Sequence, residues 1–243
     1  MVRQYSNNFK LFGAEKIFLE ENEKRLSQSK MLEVGVGGGR TTLFFAPRVA
    51  SYTGIDYSAL LVQYCNKTFS EISNARFFEM DARNLSAFSD ESFDFILFSF
   101  NGIDYAEYED RDKILKEFFR IMKAGSTLMF SFHNARNLYR LYSFQLPRNP
   151  FKIPWEIRRR KQLRSLNGTP ESYEGKNFFS LYDGGDNFRT KSCYILPEQQ
   201  LEDLKRTGFH NFVWRDLRSG KLLDEKEFTA VTDPWISIEA QKS

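Results

Sequence analysis

Four glycines fall within five residues in MLEVGVGGGRTTLFFA, residues 31 to 46, at Gly35, Gly37, Gly38 and Gly39, with Glu33 just ahead of them. Backbone without a Cβ can pass close to a bound molecule. Glycines set between an apolar run and a helical one mark the strand-to-helix turn at which open α/β sheets hold their ligands. The spacing excludes two such ligands. A dinucleotide fingerprint counted from Gly35 needs glycine in sixth place, where Arg40 stands, and the Gly-Lys-Ser/Thr ending of a phosphate loop is absent. Acidic residues recur further on: Asp56, 23 residues after Glu33, and Asp81 in MDARNL. A carboxylate at the position of Asp56 can accept two hydrogen bonds from a ribose diol, although a lone Asp at such a place also serves as a helix cap. Proton transfer has few candidates. Of the two histidines, His210 in GFHNF reads as a surface turn residue, whereas His133 in MFSFHNARN follows an apolar run and leaves it on the ligand side. A histidine there suits a general base, and equally a cap that bonds nearby backbone. The other approach is SFNGIDYAEY, residues 99 to 108, where Asn101 can bond an acceptor and Asp104 or Tyr105 can assist proton removal. Asn-Gly is also an ordinary turn dipeptide, and Tyr105 can be there to pack.

The elements that would position these groups alternate. KMLEVGV (30 to 36), SYTGID (51 to 56), ARFFEM (75 to 80), FDFILFSF (93 to 100) and STLMFSF (126 to 132) are short apolar runs, and residues 40 to 50, 58 to 72 and 109 to 122 between them have helical periodicity. Strand then helix, repeated, predicts a doubly wound, mostly parallel sheet covered on both faces. Near the C-terminus PEQQLEDLKRTG (197 to 208) predicts a helix that opens on Pro197 and stops on glycine. FHNFVWRDL and PWISIEA follow with no helix-like segment between them, so they are expected to pair antiparallel.

In that order the motifs resemble those of the class I, Rossmann-like methyltransferases that use S-adenosylmethionine. The likeness covers residues 31 to 132 well and 192 to 241 moderately. It implies a seven-stranded α/β sheet with an antiparallel C-terminal strand and an insertion after the fifth strand. In one domain of 243 residues, 1–30 would form an N-terminal helical cap, 31–133 and 192–243 the core, and 134–191 a substrate-side insertion or lid. Carried over residue by residue, Glu33, Gly35, Gly37 and Gly39 would hold the methionine and ribose portion, Asp56 the diol, and Tyr57 the adenine face. Asp81 would take the adenine amino group and Ala82 would supply backbone contacts. Ser99 lies where FDFILFSFNGIDY matches the fourth-strand motif, and it completes the cofactor set. ILKEFFRIMKAGSTLMFSF matches the next helix, turn and strand, with Lys123, Ala124, Gly125 and Ser126 where Lys-Pro-Gly-Gly is usual. The activity implied is methyl transfer to an oxygen or nitrogen, leaving S-adenosylhomocysteine. His133, Tyr105 and Asn101 are then the catalytic candidates and Asp104, Asn134 and Arg136 the acceptor-binding ones. No metal is expected. The exit of the fourth strand lacks the Asn/Asp-Pro-Pro-Tyr/Phe of enzymes that methylate planar nitrogens. FSFNGIDY and SFHNARNLYR resemble segments of bacterial methyltransferases of polysaccharide and secondary-metabolite pathways.

The rest of the chain bears on partners. Residues 134 to 191 are too long for a plain connection, and ARNLYRLYSFQL within them looks helical. Across 136 to 164 nine Arg or Lys stand against Glu156 alone, a net +8 where the whole chain nets +3, which leaves −5 elsewhere. Such a stretch can hold an acidic small molecule, a nucleic-acid backbone or an anionic membrane surface, or be a solvated helix face. The expected partner is a small-molecule acceptor, such as a sugar, nucleotide-sugar or secondary metabolite. Specific nucleic-acid binding is not expected. An RNA methyltransferase and a cofactor-binding regulatory subunit without catalysis are the alternatives. Cys65 and Cys193 have no spacing that suits a disulfide framework or zinc, and Glu15, Glu20, Glu21 and Glu23 interrupt any leader-like apolar centre in the first 30 residues. No apolar run approaches the roughly 18 residues of a membrane span. These features suggest a cytoplasmic protein; the sequence leaves oligomeric state open.

Overall fold

The computed structural model describes residues 10–243. Its strands are β1 (Lys30–Val34), β2 (Ser51–Asp56), β3 (Ala75–Glu79), β4 (Phe93–Phe98), β5 (Met122–Asn134), β6 (Phe178–Leu181), β7 (Ser192–Ile195), β8 (Phe209–Asp216), β9 (Leu222–Leu223) and β10 (Trp235–Lys242). Helices are α1 (Gly13–Glu21), α2 (Glu23–Leu26), α3 (Thr42–Phe45), α4 (Ala59–Thr68), α5 (Tyr108–Ile121), α6 (Leu138–Tyr142), α7 (Ile153–Asn167) and α8 (Pro197–Thr207).

The sheet runs β3-β2-β1-β4-β5-β10-β8-β9. β1 to β5 are parallel, and β10 is antiparallel both to β5 and to β8. This is the expected doubly wound sheet with a reversed C-terminal strand. Three short strands, β6, β7 and β9, lie beyond the seven expected. Alternation along the strands feeds two cores. Leu32, Val34, Ile96 and Phe98 face Ile114, Leu115, Phe118 and Ile121 of α5, while Met31, Phe95 and Leu97 face Phe18 of α1 and Val62 and Cys65 of α4. Strands apolar on both sides form because both faces are covered.

Two expectations change. Helix is expected over 40 to 50, but α3 has four residues and passes into a tighter turn at Ala46–Arg48, because Pro47 has no N–H to continue the ladder. Within 134 to 191, α6 is shorter than the helix-like reading, α7 is added, and β6 forms an antiparallel hairpin with β7, which begins just past that stretch at Ser192. β7 extends the sheet at the tip of β5, pairing Tyr194 with His133 and Ile195 with Asn134. A third apolar cluster, with Leu138, Tyr142, Leu163, Phe179 and Tyr194, holds these added elements together. Residues 1–9 of the expected N-terminal cap lie outside the described residues. Among the described residues no helix is long and apolar enough to cross a membrane.

Candidate active site

The glycine turn lies between β1 and α3, at the carboxyl ends of the parallel strands. A Cβ on Gly35 would stand 2.9 Å from the Phe98 ring, and one on Gly39 2.1 Å from the Phe69 ring, with both residues at positive φ. Packing beneath the turn thus requires bare backbone at these two positions, apart from any ligand above it. Asp56, at the end of β2, is buried. Its Oδ2 accepts from Gly37 N and its Oδ1 from Ser58 N, both at 2.9 Å. Each oxygen keeps a further lone pair, so the carboxylate both shapes the turn and retains acceptor capacity for a diol. Glu33 is enclosed more completely: Thr41 Oγ1 donates to it and Tyr52 OH donates at 2.5 Å. Burial pushes its carboxyl up to about 7, against the partly opposing hydrogen bonds of Thr41 and Tyr52.

Ser99 belongs to a cluster that joins the N-terminal helix to the turn. Glu15 of α1 accepts both guanidinium arms of Arg40, at 2.7 and 2.5 Å, and also the Ser99 hydroxyl. Arg40 in turn donates to Ser99 Oγ at 2.6 Å and lies over the Phe12 ring. Phe12, Phe100 and Trp235 pack ring to ring beside it. Phe100 and Asn101 both take left-handed backbone, at φ 52° and 58°. Such a conformation is unusual for a bulky side chain and has to be held by its surroundings. Here Asn101 N donates to Ser131 Oγ at 2.8 Å.

His133 leaves the end of β5 next to this turn, its ring near Tyr194 and edge-on to Trp235. Asp104 Oδ2 accepts from His133 N at 2.6 Å and stands 2.8 Å from Nδ1. The other Asp104 oxygen is paired with Arg111, whose second arm donates to Gln200 at 2.5 Å. With Asp104 accepting from an Nδ1–H, the neutral form of the ring would present Nε2 as its basic nitrogen. Asn101 Nδ2 lies 3.4 Å from Nε2 and Asp183 Oδ2 3.8 Å from it. Asn101 Oδ1 is buried with no hydrogen-bond partner among the described residues. Burial pushes the nearby Tyr194 hydroxyl well above its ordinary range, with Asp183 adding to the effect.

Each of the expected acceptor-binding residues has partners within the chain. Asp104 is 2% exposed, and Arg111 and His133 occupy its carboxylate. Asn134 is fully buried. Its amide donates to the Val231 and Asp233 carbonyls and accepts from Arg136 N, which ties the 231–233 loop to the tip of β5. Arg136 is paired with Glu198 at 2.5 Å. Asp81 is gripped by Arg83, whose hydrogen bonds hold its carboxyl below the usual range, and neighbouring Ala82 packs against the core. Tyr57 and Tyr105 are exposed and His210 is half-buried in β8. Sequence reasoning missed Glu15, Arg40, Arg111, Trp235 and Asp183. A charged residue adjoining the glycines was a usable signal for Arg40; the others meet the site only through distant chain.

Residues 31–125 match the family model described as methyltransferase domain. An uncharacterized methyltransferase, YcgJ, of Bacillus subtilis is 27% identical over 141 residues, 54% of this chain and 54% of that protein. The phthiotriol/phenolphthiotriol dimycocerosates methyltransferase of Mycobacterium leprae is 33% identical over 109 residues, 44% of this chain and 38% of that one. The chain thus spans about half the length, or less, of these two relatives. Among solved structures, an S-adenosylmethionine-dependent methyltransferase from Mesorhizobium loti superimposes with a TM-score of 0.65 at 12% identity, over 94% of this chain and 98% of that one.

Proposed function

We propose that this chain, whose residues 31–125 match the methyltransferase domain model, transfers a methyl group from S-adenosylmethionine to a hydroxyl oxygen of a small-molecule acceptor. The donor set suits the cofactor: a bare turn, and a buried carboxylate at the end of β2 with a lone pair left on each oxygen. Asp56, Gly35, Gly37, Gly39, Ser99, Asp81, Ala82 and Tyr57 would hold it, with Glu33 shaping the turn from beneath. When bound, the cofactor supplies a methyl group already activated on a sulfonium. What is left to the chain is to align the acceptor, exclude water and remove a proton.

The observation that favours oxygen is the Asp104–His133 pair. An amine can lose its proton to water after transfer, whereas a hydroxyl becomes a competent nucleophile only as its proton leaves. Nε2 of His133 is oriented to accept that proton, and Asp104 steadies the imidazolium that results. Asn101, whose amide oxygen has no partner among the described residues, would bond the acceptor, with the Phe12, Phe100 and Trp235 rings packed beside it. The M. leprae relative is named for phthiotriol and phenolphthiotriol substrates, which agrees with an oxygen acceptor.

The test begins by identifying co-purified small molecules by mass spectrometry and assaying them with labelled cofactor. On an accepted substrate, His133→Ala lowers turnover about 10²- to 10⁴-fold while calorimetry shows unchanged cofactor affinity. Turnover within a few-fold of wild type in the folded variant would return His133 to a structural cap and make Tyr105 and Asn101 the groups to examine.

A further inference from the structure

We propose that the surface built by residues 140–164 docks on an anionic lipid bilayer. Two properties coincide there and nowhere else among the described residues to this degree. Arg140, Arg148, Lys152, Arg158, Lys161 and Arg164 are exposed and have no ion-pair partner among the described residues. Arg159 differs, being held by Glu156 and the Leu141 carbonyl. Among these cations stand large apolar side chains open to water: Leu146 is 77% exposed, Phe151 93% and Trp155 64%, with Phe144 and Ile157 also exposed.

The packing explains why they point outward together. Ile153, Glu156, Arg159, Arg160, Gln162, Leu163 and Asn167 are the less exposed positions of α7, and their spacing of three and four residues places them on the face toward the protein. Pro154, Trp155, Ile157, Arg158 and Lys161 are left on the rest of the surface. Gln145 N donates to Glu156 Oε1 at 3.1 Å, which lays the 144–146 segment beside the first turn of α7 and brings Phe144 and Leu146 to the same region.

A solvated helix face accounts for the cations but not for the apolar cluster at one end. Single exposed apolar side chains are ordinary; a group of five within fourteen residues is not. A phosphate backbone would account for the cations as well, with Phe144, Phe151 and Trp155 as rings on which bases could stack, yet it would leave the aliphatic Leu146 and Ile157 uncovered. A bilayer accounts for both. Apolar tips enter the boundary between headgroups and acyl chains while Arg and Lys meet lipid phosphates around them. The attachment proposed is peripheral, made by this surface alone. The insertion leaves the sheet at the end of β5, where His133 emerges, so a bound bilayer would lie toward the end of the sheet that carries the candidate base. The surface reading does not depend on the proposed reaction.

The full chain is mixed with vesicles of phosphatidylcholine alone and of phosphatidylcholine with phosphatidylserine, then sedimented at several salt concentrations. Retention is expected on the anionic vesicles, falling as salt rises, with Trp155 emission shifting to the blue as its ring leaves water. Phe151→Ser with Trp155→Ser lowers retention about tenfold or more, and Arg158→Gln with Lys161→Gln about fivefold for each cation removed. Trp155→Phe keeps retention and loses the blue shift. All these positions are exposed, so circular dichroism should be unchanged. No retention on anionic vesicles at low salt overturns the proposal, as does retention indifferent to the two apolar substitutions. Tight binding of an RNA that needs the same cations, without vesicle binding, overturns it in favour of nucleic acid. Cofactor affinity measured in the same samples reports separately on the methyltransferase reading.

Discussion

In the proposed reaction Asp104 would act through His133, without touching the acceptor. Its oxygens hold the proton on Nδ1 of His133 and neutralise Arg111, a cation otherwise stranded in the core. Asp104→Asn should therefore lose on two counts. An amide hydrogen turned toward Nδ1 would move the ring proton to Nε2 and remove the base, lowering turnover about 10²- to 10⁴-fold. The uncompensated Arg111 should cost about 3 to 5 kcal/mol of stability, read by urea unfolding in parallel. Wild-type turnover in this variant would separate Asp104 from the chemistry. Glu33 leads to a prediction about pH. Its carboxyl rises on folding from the ordinary 4.5 to about 7 because it is buried, so between those values the folded chain holds a proton that the unfolded chain has released. The stabilisation is complete below about pH 4.5 and is lost as pH rises through about 7, a change of about 3 kcal/mol. Glu33→Gln cannot titrate there. The stability of wild type relative to this variant should thus fall from pH 5 to pH 8, and a constant difference would show that Glu33 stays ionised throughout.

Elements place these residues, and the glycine turn is the least tolerant of them. Gly39→Ala brings a Cβ against the buried ring of Phe69 at a positive φ, so it should destabilise by about 2 to 4 kcal/mol. Adding Phe69→Leu should recover part of the loss by relieving the contact but not the backbone; full recovery would show that the conformation itself is unstrained. The framework around this turn was legible beforehand. SYTGID and FDFILFSF are apolar because their strands are covered on both faces, and α5 and α8 announce themselves through inward stripes and, for α8, through Pro197 and Gly208 at its ends. The β6–β7 hairpin was not legible. Its strands have four residues each, too few to show a period, and its seat is the last two pairing positions of β5, 61 residues earlier in the chain. The same reason hid half the site. Glu15 meets Ser99 across 84 residues, and Asp183 approaches His133 only because that hairpin returns to the sheet. Asn134 shows the reverse: a polar residue beside the histidine reads as a substrate ligand until the 231–233 loop is seen to occupy it.

For the whole molecule, the question is whether the insertion unfolds with the sheet. Two thiols report on it. Cys65 lies under the glycine turn, donating to the Gly37 carbonyl at 3.2 Å, and Cys193 lies in β7. Burial pushes them up to about 12 and about 11, so neither presents a thiolate at neutral pH. An aromatic disulfide reagent should label neither in the native protein. Because β7 is hydrogen-bonded to β5, both should become reactive over the same range of urea. Cys193 reacting at lower urea would make the insertion a separately opening unit. The sheet's order also has a consequence in time. β10 follows β8 in the chain, yet it sits inside the sheet between β5 and β8. On the ribosome, β1 to β5 can pair as they emerge, while β8 has no place to dock until residues 235–242 have been made. Until then the flank of β5 is a bare edge open to any passing strand. The nascent chain is therefore exposed to aggregation until synthesis reaches this strand, which makes β10 the element whose arrival completes the sheet.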